Sequence, residues 1–180
     1  MSKIEANTID TVSGTTNLTI GSTNSSTVTF ENAANVTGHM YPAFCAKYTS
    51  TQTLSNATAT KIQFNSELFD EGSCYDNSTN YRFTPTVAGK YVVGLKIKFN
   101  NSQSCRIFTM IYKNGAEYDR SEKWSDGSGT DLDPLAVTVI DFNGSSDYVE
   151  AYALQESGGS MDTNASVDTR AYFYAYRLGT

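Results

Sequence analysis

The most informative stretch of this sequence is residues 75–91, which read YDNSTNYRFTPTVAGKY. Pro85 has no amide hydrogen, so it favours the end of a strand, where no ladder hydrogen bond is lost. Gly89 can take a positive φ at little cost, which suits a tight turn. Tyr91 then begins a run of alternating apolar residues. The stretch therefore predicts two strands separated by a compact turn.

Apolar residues alternate with other residues in several segments beyond this stretch. Residues 91–99 place five large apolar side chains on one face, which is the period of a half-buried strand. Asn114-Gly115 separates two such segments and is a strong hairpin signal. Further strands are predicted at residues 107–112, 135–142, 148–154 and 171–176. Many strands joined by glycine and asparagine turns predict an all-β sandwich or jelly roll.

The composition of the 180 residues excludes several classes of function. The net charge is −6 and the 13 basic residues form no cluster, so neither nucleic acid nor an anionic membrane surface is an expected partner. No apolar run approaches the roughly 20 residues that span a bilayer, so no membrane insertion is expected. The first residues lack the apolar core of a secretory signal. We therefore expect synthesis in a cytoplasm, with use there or release by lysis.

Cysteine and histidine usage points away from metal and nucleophilic chemistry. Cys45, Cys74 and Cys105 lie about thirty residues apart, a spacing that predicts free thiols in or near a core rather than a disulfide framework. His39 is the only histidine, and its position at a change of composition predicts a linker residue rather than a general base. The sequence therefore predicts no catalytic residue, no metal and no cofactor.

The composition changes near residue 38. Residues 1–38 contain 19 Ser, Thr or Asn residues, and their few apolar residues recur in short pairs between turn formers. The segment is interpreted either as a β-stem, in which several copies wind together, or as a flexible tail. Residues 39–180 are interpreted as a separate head.

Several segments of the head resemble the globular head of complement component one-q, the sister family of tumour necrosis factor. The most specific part is the stretch 75–91, with its Arg-Phe, Thr-Pro and Ala-Gly-x-Tyr elements. Residues 41–46, 62–71 and 171–178 resemble other strands of that family, although tyrosine replaces the usual small residues in the last of them. The resemblance implies a ten-stranded jelly roll that assembles as a homotrimer.

The last strand carries its own argument for assembly. It is apolar on both faces, whereas a sandwich strand needs only one apolar face. The second face, which is rich in tyrosine, is expected to meet symmetric copies of the chain, and simple exposure of these tyrosines to water is the alternative. The residues predicted at the threefold interface are Tyr41, Phe44, Tyr172, Tyr174 and Tyr176.

The segment before the head adds a second resemblance. Residues 1–38 contain no collagen-like Gly-x-y repeat, unlike the stems of the animal proteins of this family. A Ser/Thr/Asn-rich stem and a jelly-roll head together resemble virion proteins of tailed bacteriophages, in which such heads tip or decorate trimeric fibres. This resemblance implies synthesis in a host bacterial cytoplasm, a location in the virion, and attachment to other virion proteins through residues 1–38.

The lengths of the connections predict where a ligand binds. From residue 81 onward, short and long connections alternate, so the long ones share one end of the sandwich. Termini of compact domains usually lie close together, so the chain is expected to enter and leave at the short-turn end. The long loops then form a distal crown, a usual place for recognition. The residues predicted to bind a host-surface glycan or protein there are Trp124, Asp126, Asp131, Asp133, Asp162 and Asp168.

Other functions stay open at this point. The aspartates of residues 126–133 are oxygen ligands that suit calcium, but a solvated acidic loop is the commoner explanation. Paired carboxylates for cleavage of a glycosidic bond are conceivable, although no spacing selects a pair. The leading prediction is a trimeric virion protein with a binding head. The alternatives are a free-standing module of the same superfamily, similar to a cytokine or lectin, and a polysaccharide-degrading enzyme.

Overall fold

A computed structural model describes residues 41–179, except 101–102, 130 and 166–170. The chain divides into two units, Met1–Val36 and Thr37–Thr180. The predicted stem, residues 1–38, and His39 lie outside the described residues. The described part of the second unit is all-β, as predicted, and contains no helix.

Thirteen strands form in the described residues, and five of them are only two residues long. They are β1 (Ala43–Lys47), β2 (Thr53–Leu54), β3 (Thr60–Lys61), β4 (Ser66–Glu71), β5 (Tyr75–Asp76), β6 (Arg82–Phe83), β7 (Gly89–Lys96), β8 (Ser104–Lys113), β9 (Ala116–Asp126), β10 (Leu135–Phe142), β11 (Val149–Gln155), β12 (Met161–Asp162) and β13 (Tyr172–Gly179).

Two antiparallel sheets face each other as a sandwich. The first has five strands in the order β10-β7-β13-β1-β4. The second has six, with β5-β6-β11-β8-β9 in order and β3 paired to β11. β2 and β12 form a separate ribbon. The predicted jelly-roll sandwich is therefore confirmed, and it has more strands than ten because the connection from β1 to β7 breaks into short pieces.

Aromatic rings fill the centre of the core. The ring of Phe44 stacks on those of Tyr75 and Phe83, at centroid distances of 4.4 and 4.6 Å. Phe173 of the last strand meets Phe44 edge-on at 5.0 Å. The predicted turn also forms, since Gly89 has a φ of 138° and Tyr91 is fully buried. Residues 75–91 thus supply a large part of the core, as their apolar pattern predicts.

Phe44 corrects one of the interface predictions. Its side chain is fully buried within a single chain. Side chains of a strand point alternately to its two faces, so Phe44 and Ala46 of β1 face the core while Ala43 and Cys45 face outward. A residue used in the core of its own chain has no surface to offer to a neighbouring copy.

The two ends of the sandwich differ as predicted. The short turns meet at one end. There the side-chain amide of Asn114, in one turn, donates to Asp147, in another, over 2.8 Å. Arg177 near the C-terminus donates to the carbonyl of Ala88, in a third turn, over 3.2 Å. Ala43 pairs with Tyr176, so the described chain begins at this end. At the opposite end Phe99 bridges both Leu132 and Thr163. The polarity derived from loop lengths is therefore confirmed for the head.

Candidate functional site: the outer face of the five-stranded sheet and the distal loops

The outer face of the five-stranded sheet carries two adjacent rows of mainly apolar residues. The strand register aligns five residues in one row, and none of them is charged: Phe69, Cys45, Tyr174, Gly94 and Val137. The adjacent row contains Glu71, Ala43, Tyr176, Val92 and Val139. We call these two rows, with Tyr172 and Leu135 beside them, the apolar sheet face.

The apolar sheet face is open to solvent in the isolated chain. Val137, Val139 and Leu135 of β10 are 48%, 49% and 50% exposed. Charges lie at its margins, where Glu71 ends one row and Lys96 forms an ion pair with Asp133 at 2.9 Å. Monomeric proteins rarely expose contiguous apolar patches of this kind without a partner. The face therefore has the character of an interaction surface.

The ring of Tyr174, on β13, lies over Gly94 of the neighbouring strand β7. A Cβ atom added at Gly94 would lie only 2.1 Å from ring atom Cζ of Tyr174, so glycine is what allows the ring to approach the sheet. Burial against the sheet raises the pKa of the Tyr174 hydroxyl, with further contributions from Tyr176 and Cys45. The hydroxyl of Tyr174 therefore stays protonated to a higher pH than that of an exposed tyrosine.

The predicted interface residues fall partly on this face. Tyr172, Tyr174 and Tyr176 lie on it, and Tyr41 is 42% exposed beside Gly72 at the short-turn end. The prediction missed Phe69 of β4 and the three exposed residues of β10. A signal for β10 exists, because Leu135–Phe142 carries apolar residues at both odd and even positions, as the last strand does.

Two of the predicted ligand-binding aspartates are held by lysines. Asp131 lies 2.9 Å from the ammonium of Lys98, and the side-chain amide of Asn164 donates to the same carboxylate oxygen over 2.8 Å. Asp133 lies 2.9 Å from Lys96 and 3.9 Å from Lys123. Their negative charge is thus neutralised within the chain rather than displayed at the surface.

The two other predicted aspartates that the structure describes lie in different elements. Asp126 accepts a hydrogen bond from the amide of Ser128 within its own turn, and Asp162 lies on β12 of the small ribbon. Asp168 lies outside the described residues. Among the described residues no group of three or more His, Cys, Asp or Glu side chains lies close enough to hold a metal ion.

Trp124 is the most exposed large apolar side chain of the distal end. It lies near the end of β9, on the outer face of the six-stranded sheet, and 66% of it is accessible. Its cross-strand partner is Arg106, which donates to Glu156 over 2.8 Å. The guanidinium groups of Arg106 and Arg120 lie 5.4 and 5.5 Å from the ring centre of Phe108. An indole beside fixed charged groups is a surface suited to recognition.

The three cysteines occupy different environments, and none is in a disulfide. Cys74 and Cys105 are buried, and Cys45 lies on the apolar sheet face. Burial raises the pKa of the Cys45 and Cys105 thiols. Raised pKa values lower the thiolate fraction, so these two thiols are poor nucleophiles at neutral pH.

A shallow cleft of about 260 Å³ lies at the short-turn end, away from the predicted crown. It is lined by Lys113, Asp141, Phe142, Asn143 and Asp147. Lys113 lies 3.2 Å from Asp147 and donates to the carbonyl of Asp141 over 2.7 Å. Lys113 and Asp147 of this cleft therefore already form an ion pair with each other. In the described residues no helix is long and apolar enough to cross a membrane.

Comparisons with known proteins identify the fold. No family model and no curated protein matches the chain. Among solved structures, murine APRIL has a TM-score of 0.59 at 9% identity, over 76% of this chain and 98% of that chain. Eiger TNF from S. frugiperda has a TM-score of 0.54 at 10% identity, over 77% and 91% of the two chains.

A third similar structure is the vertex protein P5 of phage PRD1. It has a TM-score of 0.57 at 11% identity and covers 79% of this chain and 100% of that chain. At such low identities these similarities show the fold alone. The head therefore has a TNF-like jelly-roll fold.

Proposed function

We propose that this chain is a homotrimeric virion protein of a tailed bacteriophage, a fibre or decoration subunit whose head binds a host-surface or virion partner. The observation that carries the proposal is the apolar sheet face, because a protein that leaves it uncovered exposes a continuous hydrophobic surface to water. Residues 1–38 attach the subunit to another virion protein. The phage vertex protein with the same fold supports a location at the surface of a particle.

Closed symmetry explains how the apolar sheet face is covered. Three copies related by a threefold axis bury the same face in each chain, so no copy of the apolar sheet face remains exposed. The resemblance of residues 75–91 to the complement one-q head implies the same number of copies. The central rows contain no charge apart from marginal Glu71, so burial of the face desolvates few ionised groups.

Binding rather than catalysis is the proposed role of the distal end. Asp131 and Asp133, two carboxylates of the predicted crown, are paired with lysines at 2.9 Å. A pair of carboxylates for hydrolysis of a sugar needs one proton donor and one free base, which these ion pairs do not supply. Trp124 instead offers an exposed aromatic surface, which is common in recognition sites.

A free-standing ligand-binding module is the second candidate function. It is favoured by the similarity of the head to APRIL and Eiger TNF. The two candidates differ in where the protein is found. Mass spectrometry of purified particles should detect this chain in stoichiometric amount if it is a virion protein. Its absence from particles would support the free-standing module.

The trimer is tested by sedimentation of the full chain. Three chains of 19.6 kDa should sediment as one species of about 59 kDa at micromolar concentration. Val137→Asp should convert this species into folded monomers, because it places a charge on the apolar sheet face, at its β10 edge. Trp124→Asp is the matched control, since it adds the same charge at an exposed apolar residue of the other sheet and should leave the trimer intact. A wild-type monomer, or a Val137→Asp variant that still sediments as a trimer, would contradict the assembly.

A further inference from the structure

Three side chains from three different connections meet at the long-loop end. Lys98 follows β7, Asp131 lies between β9 and β10, and Asn164 follows β12. One carboxylate oxygen of Asp131 lies 2.9 Å from the Lys98 ammonium and 2.8 Å from the Asn164 amide nitrogen. An amine, a carboxamide and a carboxylate thus share one hydrogen-bond centre.

Hydrogen bonds hold the backbones of Lys98 and Asn164 beside each other. The amide of Asn164 donates to the carbonyl of Lys98 over 2.8 Å. The Tyr48 hydroxyl lies 3.2 Å from the carbonyl oxygens of both residues, and it accepts from the amide of Lys98 at the same distance. Burial raises the pKa of Tyr48 to about 12, so its hydroxyl remains a donor at neutral pH. Lys98 and Asn164 are therefore fixed relative to each other before any reaction.

The side chain of Lys98 is largely withdrawn from solvent. Only 11% of its side chain is accessible, whereas the side chain of the neighbouring Lys96 is 27% accessible. Asp131 lies within hydrogen-bond reach of the Lys98 ammonium, which is the geometric requirement for a group that takes its proton. A neutral lysine amine is a nucleophile, and the carbonyl carbon of a carboxamide is its electrophile.

We propose that Lys98 and Asn164 form an intramolecular isopeptide bond with Asp131 as the proton carrier. Asp131 accepts a proton from the Lys98 ammonium, and the free amine attacks Cγ of Asn164. The tetrahedral intermediate passes a further amine proton through Asp131 to the carboxamide nitrogen. The bond from Cγ to that nitrogen breaks, and ammonia leaves with the proton that Asp131 last holds, as ammonium.

This reaction is balanced without an oxidant or any co-reactant. One ammonium and one carboxamide become one amide and one ammonium ion, and Asp131 ends as the carboxylate with which it began. The Asp131 side chain is 28% accessible, which gives the leaving ammonia a route to solvent. The product ties the segment after β7 to the segment after β12, so the long-loop end is closed by a covalent bond as well as by hydrogen bonds.

The test is the mass of the denatured full chain. The purified protein should weigh one ammonia less than its sequence predicts. Trypsin should not cleave after Lys98, and the peptide that contains Lys98 should be found joined to the peptide that contains Asn164. A succinimide at Asn114-Gly115 or Asn143-Gly144 also releases one ammonia, so the joined peptide pair, not the mass alone, identifies the bond.

Matched variants separate the reaction from a mere ion pair. Lys98→Arg, Asn164→Ser and Asp131→Asn should each restore the mass predicted from the variant sequence and abolish the joined peptide pair. Lys96→Arg should retain both signals, because the Lys96–Asp133 pair has the same 2.9 Å length but no asparagine amide bonded to Asp133 among the described residues. Wild-type protein with the full predicted mass and normal cleavage after Lys98 would overturn the proposal, whether or not the chain is a trimer.

Discussion

At the scale of single residues, Asp76 shows how one carboxylate organises a polar loop. Its two oxygens accept hydrogen bonds from the backbone amides of Ser78, Thr79 and Asn80, at 3.0, 2.9 and 3.0 Å. The side-chain amide of Asn80 adds another at 2.7 Å. These donors, with the Thr79 amide as the largest contribution, hold the pKa of Asp76 well below its ordinary value. The loop therefore depends on the ionised form of this side chain.

Asp76 should make the stability of the head sensitive to acid. Because its pKa is lower in the folded chain than in the unfolded chain, its contribution is fully present above the unfolded pKa of about 4 and is lost as the pH falls through the folded pKa. Asp76→Asn should lower the free energy of unfolding at neutral pH by about 1–3 kcal/mol. It should also flatten the loss of stability below about pH 4.

Urea unfolding of wild type and variant at a series of pH values measures both effects. Glu122→Gln, which removes an exposed carboxylate on β9, should change neither the stability at neutral pH nor the acid limb noticeably. If wild type and Asp76→Asn lose stability in parallel as the pH falls, the role assigned to Asp76 is wrong.

At the scale of elements, the β8–β9 hairpin joins its own turn to a second turn. Asn114 has a φ of 52°, in the left-handed region that its turn requires. Its side chain donates to Asp147 over 2.8 Å and accepts from the amide of Tyr148 over 2.9 Å. The residue thus serves the hairpin through its backbone and the β10–β11 turn through its side chain.

Two substitutions at Asn114 should separate these roles. Asn114→Gly keeps the left-handed backbone but loses both side-chain hydrogen bonds, so it should cost about 1–2 kcal/mol. Asn114→Ala also strains the backbone, which adds roughly 1 kcal/mol. Urea unfolding monitored by tryptophan fluorescence and by circular dichroism gives both values. Equal costs for glycine and alanine would show that the backbone conformation contributes nothing.

At the scale of the whole molecule, the two ends of the head carry different kinds of connection. The short turns and both ends of the described chain lie at one end, while the long connections and Trp124 lie towards the other. Since rigid scaffolds commonly carry recognition on such loops, we assign partner binding to the long-loop end. We propose that residues 1–38 attach the protein to the particle.

Under the proposed function, this difference between the two ends predicts that incorporation into phage particles and adsorption to host cells can be lost separately. Deletion of residues 1–38 should leave a folded trimeric head that fails to enter particles. Trp124→Ala should leave incorporation unchanged and reduce adsorption to host cells, because it removes the exposed indole. Tyr118→Ala is its matched control, since Tyr118 is a 48% exposed aromatic residue of the same strand near the hairpin turn. Normal adsorption of Trp124→Ala particles would indicate a decoration that stabilises the particle instead, and incorporation of the shortened chain would contradict the assigned attachment.

Much of the head follows from local patterns in the sequence. The buried face from Tyr91 to Phe99, the Asn114-Gly115 hairpin and the last strand all form as predicted, although β7 itself ends at Lys96. These signals are local, because side-chain direction alternates along any strand and a turn residue acts within its own turn. The alternation of loop lengths also carries global information, since consecutive antiparallel strands must reverse direction. It thereby predicts which loops share an end.

The sequence by itself determined the class of fold, the two ends of the sandwich and the tyrosine-rich outer side of the last strand. Only the tertiary structure decided which neighbours those tyrosines have, that Phe44 belongs to the core, and that Lys98, Asp131 and Asn164 meet. The physical reason is that strand order and register join residues far apart in the chain. No local propensity specifies such a pairing, because it depends on how all the strands pack around one core.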